Sequence, residues 1–227
     1  MIGSEWLQKK TILRTSNKQN NIWVIVPVKP LTHAKSRLAK VLSQNERQAL
    51  ASKLLRHTLA TLAKAFNQEI IAGYVVISRD NSVLALAKEN KAIPLLENTN
   101  SSNNLNTALS QATRHLQTVC NDWVLLILPT DLPFLSLEDL TTVIEQSYNF
   151  EKGAIIVPDR YHDGTNLLLL KPYNLLDFRY YFGDKSFTKH IEALQQEGIT
   201  PTIIQNANLA FDLDLPEDLL QLDKKFY

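Results

Sequence analysis

Cysteine and methionine are nearly missing from this chain of 227 residues, which has one of each. A single cysteine, Cys120, excludes an internal disulfide and a cysteine-based zinc site, and it suits a reducing compartment. Glycine is scarce too, at six residues. None of these is arranged as G-x-G-x-x-G or G-x-x-x-x-G-K-[ST], so the dinucleotide fingerprint and the P-loop are both absent. That argues against NAD-dependent and kinase-like chemistry. No G-x-S-x-G elbow occurs, and the five histidines lack metal-ligand spacing. His33, His57, His115 and His190 read as solvated or half-buried residues on helices or their edges. Charge is balanced as well: 24 Lys and Arg stand against 23 Asp and Glu, a net +1 at pH 7. With no polyanion or membrane-surface footprint, neither nucleic acid nor membrane is an expected partner. No apolar run approaches the roughly 20 residues that span a bilayer. The first 21 residues are polar and lack the apolar stretch of a secretory signal. They are expected to form a flexible arm, residues 1–21, ahead of one domain over residues 22–227, in a soluble cytoplasmic protein.

Hydrophobic residues make up 44% of the chain, enough for one substantial core. Residues 22–28 form a continuous apolar run, the pattern of a strand covered on both faces. Residues 43–66 place Leu50, Leu54, Leu55, Leu59, Leu62 and Phe66 at helical spacing, and Ser43 with Glu46 forms a capping-box signature. Strands are predicted at Tyr74–Ser78, Ile93–Leu96 and Trp123–Leu128, the last at the sheet centre. Helices are predicted at Ser82–Asn90, Asn106–Leu116 and Leu137–Gln146. This alternation argues for an α/β fold with a mostly parallel central sheet and helices on both faces. Further on, strands at Ala154–Pro158, Asn166–Leu170 and Thr202–Gln205 accompany helices at Ser186–Glu197 and from Pro216.

The most informative stretch is Val24 to Leu38. An apolar strand ends in a loop carrying Lys29, Lys35 and Arg37, followed by an expected helix. Ligands of open α/β sheets bind outside the carboxyl ends of strands, and three cations in one short loop repel one another unless an anion is near. A phosphorylated ligand is therefore the first expectation. Asp131 follows a strand free of charged residues and is bracketed by Pro129 and Pro133. A carboxylate there suits Mg²⁺, a hard cation that prefers oxygen ligands, although a turn-forming Asx residue is the alternative. In Phe211-Asp212-Leu213-Asp214-Leu215-Pro216, an extended backbone would point Asp212 and Asp214 to one side and Leu213 to the other. Helix entry at Pro216 accounts for Glu217 and Asp218 but not for Asp212. Asp131, Asp212 and Asp214 are thus the metal candidates. The loop Asp159–Asn166 adds a flexible glycine, a hydroxyl and an amide. Phe182-Gly183-Asp184-Lys185-Ser186 precedes a helix, with Ser186 expected as its N-cap and free N–H groups able to hold a second phosphate.

The segment Val26-Pro-Val-Lys-Pro-Leu-Thr-His-Ala-Lys-Ser-Arg-Leu38 resembles the opening motif of the 2-phospho-L-lactate/phosphoenolpyruvate guanylyltransferases of coenzyme F420 biosynthesis. Leu105-Asn106-x-Ala108-Leu109, Thr130-Asp131-Leu132-Pro133, Asp163-Gly164-Thr165-Asn166, Phe182-Gly183-x-x-Ser186-Phe187-x-x-His190 and Asp212-x-Asp214-x-Pro216-Glu217-Asp218 follow in the family's order. The resemblance implies a single-domain nucleotidyltransferase fold of the GT-A type and transfer of GMP from GTP to a phosphorylated three-carbon acid. It further implies that Lys29, Lys35 and Arg37 hold the triphosphate and that Asn106 lies near the nucleotide. Asp131, Asp212 and Asp214 would hold Mg²⁺, while Thr165, Gly183 and Ser186 would bind the acceptor. Turnover would then depend on Lys29, Arg37 and Asp131. The acceptor could be 2-phospho-L-lactate, phosphoenolpyruvate or 3-phospho-D-glycerate, with a homodimer and hand-over of a labile product to the next enzyme as further expectations. Two positions depart from the family pattern: Asn104 stands where a glycine is common and Leu215 where a threonine is. Competing readings are another Mg²⁺-dependent nucleotidyltransferase, such as a molybdenum-cofactor type, and a non-catalytic GTP-binding protein of the same fold.

Overall fold

Side chains alternate along strand β1 (Ile22–Pro27) and so divide the protein into two apolar layers. Ile22, Val24 and Val26 enter one buried cluster, and Trp23 and Ile25 enter the other. The computed structural model describes residues 21–98, 104–118, 123–171 and 178–222; the expected arm at 1–21, apart from its last residue, lies outside them, as does Cys120. On the first face pack helices α1 (Gln44–Asn67), α2 (Asn81–Glu89) and α4 (Leu137–Gln146) through Leu55, Leu59, Val83, Leu86, Leu140 and Val143. On the second pack α3 (Leu105–Gln117) and α5 (Ser186–Gln196) through Leu109, Ala112, Leu116 and Leu194.

The remaining strands are β2 (Gly73–Ser78), β3 (Ile93–Leu96), β4 (Val124–Ile127), β5 (Gly153–Pro158), β6 (Thr165–Lys171) and β7 (Thr202–Ile203). They form one seven-stranded sheet in the order β3-β2-β1-β4-β6-β5-β7. The apolar strand β4 is central, as its composition predicts. Only β6 runs against its neighbours, antiparallel to both β4 and β5, so the sheet is mostly parallel. With β1, β2 and β4 running the same way, their carboxyl ends open on one edge. Register is tight where β1 meets β2. A Cβ added to Gly73 would lie 2.5 Å from the Trp23 ring, so the indole occupies the space a side chain there would need.

Helix starts follow their local chemistry. Ser43 and Glu46 form the expected capping box of α1, and Ser136 with Asp139 does the same for α4. Three local expectations need correction. The cationic loop does not run straight into a helix but folds into two 3₁₀ turns, Leu31–His33 and Ser36–Lys40. The segment from Pro216 is also a 3₁₀ turn, ending at Gln221. Ser186 does not cap α5. Lys185 takes that position in the left-handed region at φ 53°, and Ser186 is buried with its hydroxyl turned to Thr165. A four-residue helix α6 (Ala207–Ala210), capped by Asn206, was not legible from periodicity because it is one turn long.

Candidate active site

A third apolar cluster, beside the sheet edge, assembles the charged groups. It contains Leu38, from the turn that carries Lys35 and Arg37, and Leu213, from between Asp212 and Asp214; both are fully buried. Burying Leu213 leaves Asp212 and Asp214 on the opposite, partly open side, as extended backbone requires. The N–H of Leu213 donates to the carbonyl of Asp131 at 2.9 Å, which ties this segment to the end of β4. Three regions far apart in sequence therefore meet.

Their charges interlock. Lys35 Nζ lies 3.1 Å from Asp214 Oδ1 and 3.6 Å from Asp131 Oδ2, and Arg37 Nη1 lies 3.0 Å from Asp214 Oδ2. Lys35 reaches this position from a left-handed backbone, φ 52°, an uncommon conformation for a residue with a side chain. Asp212 is pushed up to about 6 by burial and by the negative charges of Asp131 and Asp214. Lys29 is exposed at the mouth of β1 and joins none of these ion pairs.

Among the described residues, no group of three or more His, Cys, Asp or Glu is disposed to hold a metal ion, and the ammonium of Lys35 lies within 3.6 Å of both Asp131 and Asp214. The donor chemistry nonetheless fits a hard divalent cation. All three candidates are carboxylates, and their mutual repulsion at Asp212 is what such an ion would relieve.

Sequence reasoning missed the support beneath this segment. The buried carboxylate of Asp218 accepts the N–H of Asp214 at 2.7 Å and of Leu215 at 2.6 Å, and takes Arg160 Nη2 at 2.6 Å through its other oxygen. Arg160 also lies 4.5 Å above the Phe211 ring. Asp218 thus supplies the half of a capping box that reaches back to the N-cap backbone, while Leu215 lacks the hydroxyl that would supply the other half. Only the spacing Asp214-x-x-x-Asp218 hints at it.

The second set of predicted residues gathers around β6 and α5. Asn104 caps α3 by accepting the N–H of Asn106, in place of the family glycine. The amide of Asn106 pairs with the backbone of Phe182 in both directions, at 3.1 and 2.8 Å. That joins the expected nucleotide loop to the Gly183–Ser186 turn, where Gly183 holds φ 121°. Ser186 Oγ accepts the N–H of Thr165 at 2.8 Å, and Thr165 Oγ1 lies 3.0 Å from His190 Nδ1. His190, expected at most half-buried, is fully enclosed, and burial lowers it to about 4.

A cation cluster and a carboxylate cluster gathered beyond the ends of parallel strands, with a separate pair of hydroxyls at Thr165 and Ser186, suit transfer between two phosphorylated ligands. The sequence pattern of the family described as "Guanylyl transferase CofC like" matches residues 22–223. This chain belongs to that family. The enzyme is 35% identical to the phosphoenolpyruvate guanylyltransferase of Rubrobacter xylanophilus over 203 residues, 89% of this chain and 94% of that one. It is 32% identical to the 2-phospho-L-lactate guanylyltransferase of Methanobrevibacter ruminantium over 209 residues, 88% of this chain and 84% of the relative. Its fold matches a nucleotidyl transferase from Methanothermobacter thermautotroptrophicus with a TM-score of 0.61 at 14% identity, covering 91% and 98% of the two chains. A 4-diphosphocytidyl-2C-methyl-D-erythritol synthase matches with a TM-score of 0.60 at 15% identity over 89% and 97%. The fold is thus that of the nucleotidyltransferases, and the family assigns guanylyl transfer. No described helix is long and apolar enough to cross a membrane.

Proposed function

We propose that this guanylyl transferase moves GMP from GTP onto the phosphate of a three-carbon phospho-acid in coenzyme F420 biosynthesis. 2-phospho-L-lactate and phosphoenolpyruvate lead as acceptors, and 3-phospho-D-glycerate is a third. The observation that carries the reading is the meeting of Lys35 and Arg37 with Asp131 and Asp214 beside Asp212. It supplies cations for a triphosphate and carboxylates for its metal in one place.

A phosphate monoester has a second pKa of about 6, so at pH 7 the acceptor is largely dianionic. Its oxygen can attack the α-phosphorus of GTP without a general base. A new P–O–P bond joins GMP to the acceptor while the bond from the α-phosphorus to the bridging oxygen breaks, and pyrophosphate leaves with that electron pair. The protein's part is positioning and charge neutralisation. Lys29, Lys35 and Arg37 bind the triphosphate, and Thr165, Gly183 and Ser186 hold the acceptor. Asp131, Asp212 and Asp214 would hold Mg²⁺, which supplies electrostatic stabilisation of the leaving pyrophosphate. The product is an anhydride of two phosphates, suited to direct hand-over to the next enzyme.

The test feeds each acid with GTP and Mg²⁺, follows pyrophosphate release, and identifies the adduct by mass. GTP with one acid should give a GMP adduct, and ATP, CTP and UTP should give far less. Equal turnover with any nucleotide, or no adduct with all three acids, would overturn the reading.

A further inference from the structure

His190 is enclosed by aromatic rings and makes two hydrogen bonds whose directions are linked. Phe182 meets it edge-on at 4.9 Å, Phe178 stacks at 6.2 Å and Tyr181 lies edge-on at 6.2 Å. The backbone N–H of Tyr181 points at Nε2 at 3.0 Å. A backbone N–H can only donate, so Nε2 must offer its lone pair. A neutral imidazole then carries its proton on Nδ1, and burial keeps this ring neutral. The partner of Nδ1 is Thr165 Oγ1 at 3.0 Å, so the hydroxyl oxygen accepts that bond. Its own proton is therefore turned away from the histidine. Among the described residues, Thr165 Oγ1 has no other hydrogen-bond partner. The backbone N–H of Thr165 is spent on Ser186 Oγ, which likewise accepts on its protein side.

We propose that His190 is a positioning residue that locks the Thr165 hydroxyl as a donor toward the acceptor acid. Resting on the functional reading above, this gives the acceptor pocket a fixed polarity. Two hydroxyl oxygens are occupied by protein donors, Thr165 by His190 and Ser186 by Thr165, and their protons remain for a ligand. Such a pair suits an ionised phosphate or carboxylate, which only accepts, and disfavours a ligand that must itself donate. The lock is also joined to the nucleotide side. Asn106 holds both polar groups of the Phe182 backbone, and Phe182 is a wall of the histidine enclosure.

The test has one arm independent of the reaction. ¹⁵N NMR of histidine-labelled protein should show His190 as the Nδ1–H tautomer at pH 7, and Thr165→Val should shift its Nδ1 resonance alone. An Nε2–H tautomer would overturn the lock, whatever the enzyme's substrate proves to be. In the kinetic arm, His190→Leu should raise the KM of the phospho-acid by about tenfold, the equivalent of one hydrogen bond. The KM for GTP should stay unchanged, and His190→Gln, which keeps a donor and an acceptor, should recover most of the loss. Thr165→Val should reproduce the effect, and adding His190→Leu to it should cost little more. If His190→Leu does not fold, Thr165→Val alone carries the kinetic arm, where an unchanged KM for the phospho-acid would overturn the proposal. Parallel increases in both KM values, or full additivity, would show a merely structural histidine. An active tautomer lock in a protein that guanylylates no phospho-acid would instead sink only the functional reading.

Discussion

Lys35 Nζ lies 3.1 Å from Asp214 Oδ1 although 179 positions separate the two residues, and it reaches Asp131 Oδ2 at 3.6 Å. The Lys35 side chain, only 9% exposed, thus serves as an internal counter-ion for carboxylates proposed to hold a metal. If these carboxylates hold a divalent cation, as proposed, that cation would compete with Lys35 and release it toward a triphosphate.

Lys35→Met tests this directly. Without the internal competitor, Mn²⁺ should bind the nucleotide-free protein more tightly than it binds the wild type, by calorimetry or Mn²⁺ EPR. The kcat/KM for GTP should meanwhile fall about 100-fold, the usual scale for losing one preorganised charge contact. Weaker Mn²⁺ binding would contradict the competition.

Asp212→Asn should separate stability from function. Burial, and then the charges of Asp131 and Asp214, disfavour the charge at position 212, so removing that charge should leave Tm equal or higher at pH 7. Turnover should fall by about 10²–10³ if the residue holds the metal. A lower Tm with retained activity would reverse the assignment. Asp131→Ala should likewise nearly abolish turnover.

Asp218→Ala should be costly without touching substrate. It leaves the N–H groups of Asp214 and Leu215 and the guanidinium of Arg160 without their carboxylate. Breaking a buried ion pair from one side costs about 3–5 kcal/mol, or roughly 10 °C in Tm for a chain of this size. Differential scanning calorimetry measures it, and a drop under 2 °C, on the order of half a kcal/mol, would show that the Asp212–Asp214 segment is held by other means.

His190 should give stability a pH dependence. The unfolded chain takes up this proton near 6.5 and the folded chain only near 4. Between those values the unfolded state binds more protons, so the contribution is complete above pH 6.5 and is lost as pH falls toward 4. The loss reaches about 3 kcal/mol, and His115, also lowered by burial, acts in the same direction. Urea unfolding of the wild type and His190→Gln from pH 7.5 to 4.5 isolates the effect. Parallel curves would exclude it.

Strand and helix positions were legible because each depends on side chains a few residues apart. The continuous apolar run of β1, the 3.6-residue stripe of α1 and the Ser43–Glu46 cap are local patterns. Boundaries came within one or two residues for most elements, as at β3 (Ile93–Leu96). Prediction failed where a backbone conformation answers to distant groups. Ser186 resembles a cap, yet its hydroxyl is drawn to Thr165, 21 positions away, and Lys185 takes the left-handed cap position.

A central apolar strand, its covered neighbours and the residue types of the candidate site could be read from local patterns: cations after β1, aspartates after β4 and at 212 and 214. These follow from hydrophobic periodicity and from the unpaired charges such segments must place at strand ends. Which of these groups meet depends on how the chain folds. Leu38 and Leu213 had to be buried together before Lys35 could meet Asp214, and β6 had to run antiparallel between β4 and β5 to form the sheet that Thr165 enters. The aromatic enclosure likewise made a neutral donor of His190. Burial, dielectric and hydrogen-bond direction are properties of what surrounds a residue, and that surrounding exists only after the chain has folded.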